Sequence, residues 1–250
     1  MTNNMFKTIK SLMLAAIVAP TLAFAAAEEV HLDRAPVSMD KASLQNGAKL
    51  FVNYCLNCHA ASFLRYNKLS ELGLTDGEIA DNLLFTGDVV GDKMEIAMRP
   101  TEAKAWFGAT PPDLTLIARQ RNSASGSGAD WVYTYLRSFY RDPERPTGWN
   151  NTVFANVGMP HVLWELQGQQ VAEMHGEAGH EEVKLSLEKP GRMTPAEYDE
   201  AVADLVSFLV WMGEPGAQKR ETIGIFVLIF LVGFTLLAYA LKKNYWKDIH

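Results

Sequence analysis

Apolar positions along the chain fall into three kinds of run. At the start, Leu12 to Leu22 is a short apolar stretch, preceded by Lys7 and Lys10 and followed by Ala23-Phe24-Ala25-Ala26-Ala27. A basic start, a short apolar core and small residues at the exit describe a secretory signal, with cleavage expected after Ala25 or Ala27. Near the other end, Ile223 to Leu241 is 19 residues without a charge. At about 1.5 Å per residue, a helix of that length covers about 28 Å, close to the hydrocarbon thickness of a bilayer. Lys219 and Arg220 flank one side, and Lys242, Lys243 and Lys247 the other, with Tyr239, Tyr245 and Trp246 supplying amphipathic rings. This run predicts a membrane anchor. The signal then exports the middle of the chain and leaves a short tail inside; basic residues, three against two, add little to that orientation.

Between the ends the period is helical. Leu44, Leu50, Phe51 and Tyr54 recur on roughly one face and predict a helix over Ser43 to Tyr54. Glycines and prolines break the pattern from Gly73 to Pro112, around a short helix over Asp76 to Leu84. Further helices are expected over Asp113 to Arg121 and Ala129 to Tyr140, then a loop through Asp142-Pro143-Glu144-Arg145-Pro146-Thr147-Gly148. Gly168 to Pro190 is polar and reads as a solvated loop. Its His175, Glu177, His180, Glu181 and Glu182 have a spacing too loose to define a metal site. Thr194, Pro195 and Glu197 mark a helix start with a capping box. Val202, Leu205, Phe208, Leu209 and Met212 form its apolar face, and Gly213-Glu214-Pro215-Gly216 ends it.

The expected fold class is mainly α, a domain with long loops plus one C-terminal transmembrane helix. The domain organisation reads as signal peptide 1–27, exported domain 28–218, and anchor with a short tail 219–250, spanning at 223–241.

With 250 residues, 48% hydrophobic and 21% charged, the chain suffices for one good-sized domain and is too apolar for disorder. A net charge of −6 argues against nucleic acid, which calls for a clustered basic face. Two cysteines exclude a disulfide-rich scaffold. Residues 28–218 hold 16 basic and 27 acidic side chains, hence −11. A field of that sign steers a basic soluble partner and weakens with salt; it also serves solubility.

Cys55-Leu56-Asn57-Cys58-His59 is the C-x-x-C-H pattern of c-type haem attachment. Two thiols on one helical turn can each add to a vinyl group on the haem edge, and the following histidine then supplies an imidazole to the iron. A C-x-x-C thiol redox site belongs in a strand–helix fold that this sequence lacks. A zinc site needs two more ligands at short spacing, and no second cysteine pair exists. The sixth ligand decides whether the iron relays electrons or binds small molecules. Among Met94, Met98, Met159, Met174, Met193 and Met212, the residues alone leave Met159, in Gly158-Met159-Pro160, level with Met193, on the loop before the last soluble helix.

The sequence resembles the cytochrome c1 family, the haem subunits of quinol–cytochrome c oxidoreductase (the cytochrome bc1 complex). The resemblance rests on Cys55 to His59 with Arg65-Tyr66, Pro111-Pro112-Asp113-Leu114 with Ala118-Arg119, and Met159-Pro160. It continues through Phe208-Leu209-Val210-Trp211-Met212-Gly213-Glu214-Pro215 into the anchor, and covers roughly residues 40 to 247. It implies one covalent haem c on Cys55 and Cys58, ligated by His59 and Met159. It further implies that Arg119 pairs with a propionate, and that Pro111 and Pro112 wall the haem and keep water away. Two departures stand out: Trp106-Phe107-Gly108-Ala109 precedes the prolines, where the family often has asparagines and a glycine. Trp131, with Tyr133 nearby, replaces an aromatic hydroxyl expected at the second propionate.

The implied function is one-electron transfer from a Rieske iron–sulfur protein to cytochrome c, beside cytochrome b in a dimeric complex. The implied place is the bacterial inner membrane, single-pass, with the haem domain periplasmic. Such a subunit needs no general acid, base or nucleophile of its own. Two alternatives remain: a membrane-anchored c-type cytochrome donating to a terminal oxidase, and a membrane-tethered thiol–disulfide oxidoreductase using Cys55 and Cys58.

Overall fold

A computed structural model describes residues 31–175 and 182–248. The signal segment 1–27, and Glu177, His180 and Glu181 of the polar stretch, lie outside the described residues.

Two crossing helices build the floor of the domain. Helix α1 (Lys41–Leu50) starts where the Asp40 carboxylate accepts from the Ser43 amide at 2.9 Å. Helix α7 (Pro195–Gly213) starts at the expected capping box of Thr194 and Glu197. The two pack through Leu44, Gly47 and Ala48 against Asp204 and Phe208, with the Phe51 and Phe208 rings 5.6 Å apart. A Cβ on Gly47 would stand 2.1 Å from the Asp204 carbonyl oxygen, so only glycine lets the backbones approach this closely. After Leu50 the helix opens into one wide turn, Phe51–Cys55, closed by Leu56 donating its amide to the Phe51 carbonyl at 3.0 Å. The predicted helix over Ser43 to Tyr54 is thus an α-helix that widens as it reaches the cysteines.

A short strand β1 (Ala61–Arg65), a 3-10 turn (Tyr66–Leu72), helix α2 (Asp76–Asn82) and strand β2 (Lys93–Met94) follow, β1 and β2 pairing antiparallel. Helix α3 (Pro100–Phe107) leads to the proline segment. The helix expected over Asp113 to Arg121 is shorter, α4 (Ile117–Gln120). Asp113 instead caps its own turn, its carboxylate accepting from the Thr115 amide and hydroxyl at 2.8 and 2.6 Å. Helix α5 (Gly128–Arg137) also stops early, and its expected last residues form strand β3 (Phe139–Arg141), paired with β4 (Trp149–Asn151) around the predicted loop. Gly128 lets α5 lean on α4, where a Cβ would meet the Ala118 carbonyl oxygen at 2.3 Å.

The polar stretch corrects one expectation. Its described residues form two strands that pair antiparallel, β5 (Gly168–His175) and β6 (Glu182–Pro190), preceded by the one-turn helix α6 (Trp164–Gln167). Its strands pair for most of their length, and β5 also lies against β3. Backbone pairing and that contact, rather than an apolar stripe, hold it, which is why periodicity did not reveal it.

Past Gly213-Glu214-Pro215-Gly216, helix α8 (Ala217–Tyr245) extends the predicted span at both ends. Within Lys219–Tyr245, the most apolar 18-residue stretch has a mean hydropathy of 2.6 and is unburied by the rest of the described chain. An apolar surface that packs on nothing in its own fold belongs in lipid.

Candidate functional site

The site begins as a local turn. The amides of Cys58 and His59 both donate to the Cys55 carbonyl, at 3.0 and 2.9 Å, which brings the two thiols and the imidazole round one turn. Both cysteines are free; Cys55 is buried and Cys58 half-buried. Burial, with a smaller contribution from Cys58, pushes the Cys55 thiol up to about 12, and burial raises Cys58 as well. Reactive redox cysteines show the opposite, a thiolate favoured by electropositive surroundings. The pair is therefore poorly suited to thiol–disulfide exchange.

His59 is oriented from behind. Its Nδ1 lies 2.8 Å from the Pro112 carbonyl oxygen, which fixes Nδ1 as the donor and leaves Nε2 with its lone pair. Burial lowers the imidazole's pKa, and the Pro112 hydrogen bond and nearby Asp113 only partly oppose it. The Pro-Pro-Asp-Leu segment is itself stapled to the residues after His59. The Leu114 amide donates to the Ala60 carbonyl at 2.9 Å, and the Ser62 amide to the Asp113 carboxylate at 2.8 Å.

Opposite this turn the chain returns through Gly158-Met159-Pro160. A Cβ on Gly158 would sit 2.7 Å from the Phe107 carbonyl oxygen, so glycine is what lets this loop close on the end of α3. Between the two walls lies a cavity of about 320 Å³. Cys55, Cys58, His59 and Met159 all face it. Pro111, Pro112, Leu114 and Ile117 line one side, and Val132, Leu136, Val157 and Val162 another. Tyr135, on α5, donates its hydroxyl to the Met159 sulfur at 3.3 Å.

Of the sequence-predicted residues, Cys55, Cys58, His59, Pro112 and Met159 meet at this cavity. Met193 is not on it: it packs against the core, its amide donating to the Leu166 carbonyl at 3.1 Å. Met94 and Met212 are fully buried core residues. Arg119, expected at a propionate, does not line this cavity either. Its guanidinium bonds to the Glu214 carboxylate at 3.0 Å, and Arg220 of the anchor holds the same carboxylate. Two residues on, the helix has turned, and Arg121 lines the cavity, its guanidinium 4.4 Å over the Trp131 ring. Trp131 lines the cavity too, whereas Tyr133 lies under Arg137, which is bonded to Asp33 and Asp199.

Sequence reasoning missed Arg121, Tyr135 and Asn151. Buried Asn151 donates from Nδ2 to the Tyr135 carbonyl at 2.8 Å and accepts the Val153 and Phe154 amides, shaping the loop that leads to Met159. The Arg-Gln-Arg spacing was the available signal for Arg121, since residues two apart on a helix face different ways. Tyr135 and Asn151 carried none, because their partners are distant in the chain.

The donor set fits a covalent haem. It offers two thiols on one turn, an imidazole whose free nitrogen faces the space, a thioether across from it, and walls that are mostly apolar, with a few hydroxyls and one guanidinium, that of Arg121. Among the described residues, no three His, Cys, Asp or Glu side chains stand together as a metal site would require. Fold and site together define a c-type cytochrome domain on a membrane anchor.

The profile of the Cytochrome C1 family matches residues 32–249, and the chain belongs to that family. It is 47% identical to a cytochrome c1 of Allochromatium vinosum over 94% of this chain and 96% of that one. It is 51% identical to a protein of Nitrosomonas europaea described as ammonia monooxygenase gamma subunit, over 98% of this chain and all of that one. A cytochrome c1 of Rhodospirillum rubrum is 28% identical over 84% of this chain and 83% of its own. Proteins of this family carry a covalently bound haem c and serve in electron transport as the haem subunit of the bc1 complex.

Proposed function

We propose that this chain passes single electrons from a Rieske iron–sulfur protein to cytochrome c through a haem held by Cys55 and Cys58 and ligated by His59 and Met159. The observation that carries this reading is the convergence of those four side chains on one apolar cavity. When bound, the haem supplies a one-electron ferric/ferrous couple. The chain's own residues do the rest. The Pro112 carbonyl fixes the imidazole tautomer, the apolar walls exclude water, and Arg121 offers a charge-assisted bond to a propionate. The exported haem domain, about 28–218, is periplasmic once a signal at 1–27 is removed. The anchor sits in the bacterial inner membrane, beside cytochrome b in a dimeric complex.

Replacing Met159 by alanine tests the ligand set. Covalent haem is retained, the reduction potential falls, and the open position binds carbon monoxide. An unchanged potential in that variant overturns the assignment of Met159. Co-purification from detergent tests the assembly: cytochrome b and a Rieske protein support the reading, whereas a terminal oxidase or monooxygenase subunits in their place replace it. The monooxygenase outcome is worth scoring because of the Nitrosomonas europaea relative.

A further inference from the structure

Four tyrosines are buried among the described residues; Tyr133 lies under the Arg137 guanidinium, and the hydroxyls of the other three are treated differently. Tyr198 donates to the Leu136 carbonyl at 2.9 Å, and Tyr66 shares a 2.8 Å hydrogen bond with the Thr86 hydroxyl. These are strong oxygen partners, the ordinary way to keep a buried phenol satisfied. Tyr135 is buried as well, yet among the described residues its recorded hydroxyl partner is the Met159 sulfur, a weak acceptor.

The ring is held so that the hydroxyl has little choice. Trp131, one turn earlier on α5, stacks on it at 4.8 Å and 13°, and Phe139 meets it edge-on at 5.0 Å from the next element. Arg121 sits over Trp131, which closes the stack. The Asn151 amide holds the Tyr135 carbonyl and also shapes the loop toward Met159, so donor and acceptor are positioned by one side chain. Packing alone would be served as well by phenylalanine. The hydroxyl is the added element.

We propose that Tyr135 is a positioning residue that raises the reduction potential of the haem iron by donating a hydrogen bond to the thioether of Met159. This rests on the His59/Met159 ligation proposed above. A thioether sulfur has two lone pairs; one accepts from the phenol and the other remains for the iron. The hydrogen bond withdraws charge from the sulfur and weakens it as a donor. Ferric iron depends on that donation more than ferrous iron does, so the ferrous state is favoured. Hydrogen bonding around an axial ligand is one of the protein's levers on potential.

The test is a redox titration of the haem-loaded, detergent-extracted protein carrying Tyr135→Phe, with covalent haem and thermal midpoint as controls on folding. At a fixed ambient potential, the ferrous-to-ferric ratio falls about three- to tenfold, the range a net hydrogen bond supports. The low-spin, thioether-ligated spectrum persists. An equal or higher potential with that spectrum intact overturns the proposal. Incorporating 3-fluorotyrosine at position 135 keeps the shape and strengthens the donor, so the ratio moves the other way. This arm decides the matter if Tyr135→Phe fails to fold, and a ratio that stays put or falls overturns the proposal. Met159→Leu separates the two readings. Loss of thioether ligation there, with no effect at Tyr135, sinks this inference alone; an unchanged spectrum there sinks the ligation on which it rests.

Discussion

The two walls of the cavity are built in opposite ways. The His59 wall is mostly local: five consecutive residues, one wide turn and two hydrogen bonds to the Cys55 carbonyl place both thiols and the start of the histidine, and one distant group, the Pro112 carbonyl, orients the imidazole. The Met159 wall is assembled from distant parts. It needs the Phe107 carbonyl at the end of α3, the Tyr135 hydroxyl on α5, and Asn151 at the end of β4, none within seven residues of Met159. The cysteine turn forms by itself and tolerates change elsewhere, while the imidazole answers only to the proline segment behind it. An assembled wall is sensitive to every element that supports it, and it is the wall where a protein can adjust a ligand without disturbing attachment.

The largest effect separates attachment from everything else. Changing both Cys55 and Cys58 to serine abolishes covalent haem, read by haem staining after denaturing electrophoresis, while Met159→Ala leaves the stain in place. Stain surviving in the double variant would erase the distinction between the walls.

Gly158→Val probes the assembled wall without touching a ligand. Its side chain has no room beside the Phe107 carbonyl, so the loop shifts. The expected outcome is normal haem attachment, a mixed or lost thioether-ligated spectrum, and a loss of about 1–3 kcal/mol in stability by denaturant titration. By contrast Gly47→Ala, which pushes α1 from α7, lowers stability and leaves the spectrum of the folded fraction unchanged.

Buried His161 gives the Met159 side a pH dependence. It stacks on Phe139 at 4.9 Å and meets Trp149 edge-on, and burial, against a smaller opposing contribution from Gln167, lowers its pKa to about 4. A histidine depressed in the folded state leaves the unfolded chain binding more protons between about pH 6.5 and 4, so stability is lost as pH falls through that window. The loss is of the order of 3 kcal/mol. His161→Gln should flatten that part of the profile; an unchanged slope would show that other groups carry it.

The smallest effect distinguishes two arginines. Arg121→Gln shifts the potential modestly, about twofold in the ferrous-to-ferric ratio, by removing one partly exposed charge-assisted bond. Arg119→Gln leaves the potential where it was, since that guanidinium is held by Glu214. Equal shifts in both would return Arg119 to the haem.

The attachment turn, the capped start of α7 and the anchor were all legible before any folding was known. Each is encoded in contiguous residues: the C-x-x-C-H spacing, the Thr194–Glu197 capping box and the uncharged run Ile223 to Leu241. Such signals survive in one dimension because their physics acts over a turn of helix or along a single span. Residue pattern left Met159 and Met193 level, and only family resemblance separated them; the fold brings one to the cavity and packs the other against the core, away from it. Likewise, the pairing of Gly168–His175 with Glu182–Pro190 was hidden because backbone pairing leaves little trace in a polar sequence. Packing in three dimensions settles which of two neighbouring arginines faces the cavity, and which phenol meets the methionine sulfur. Those choices turn on the rotation of short helices against one another, set by close contacts such as Gly128 on Ala118 between partners far apart in the chain.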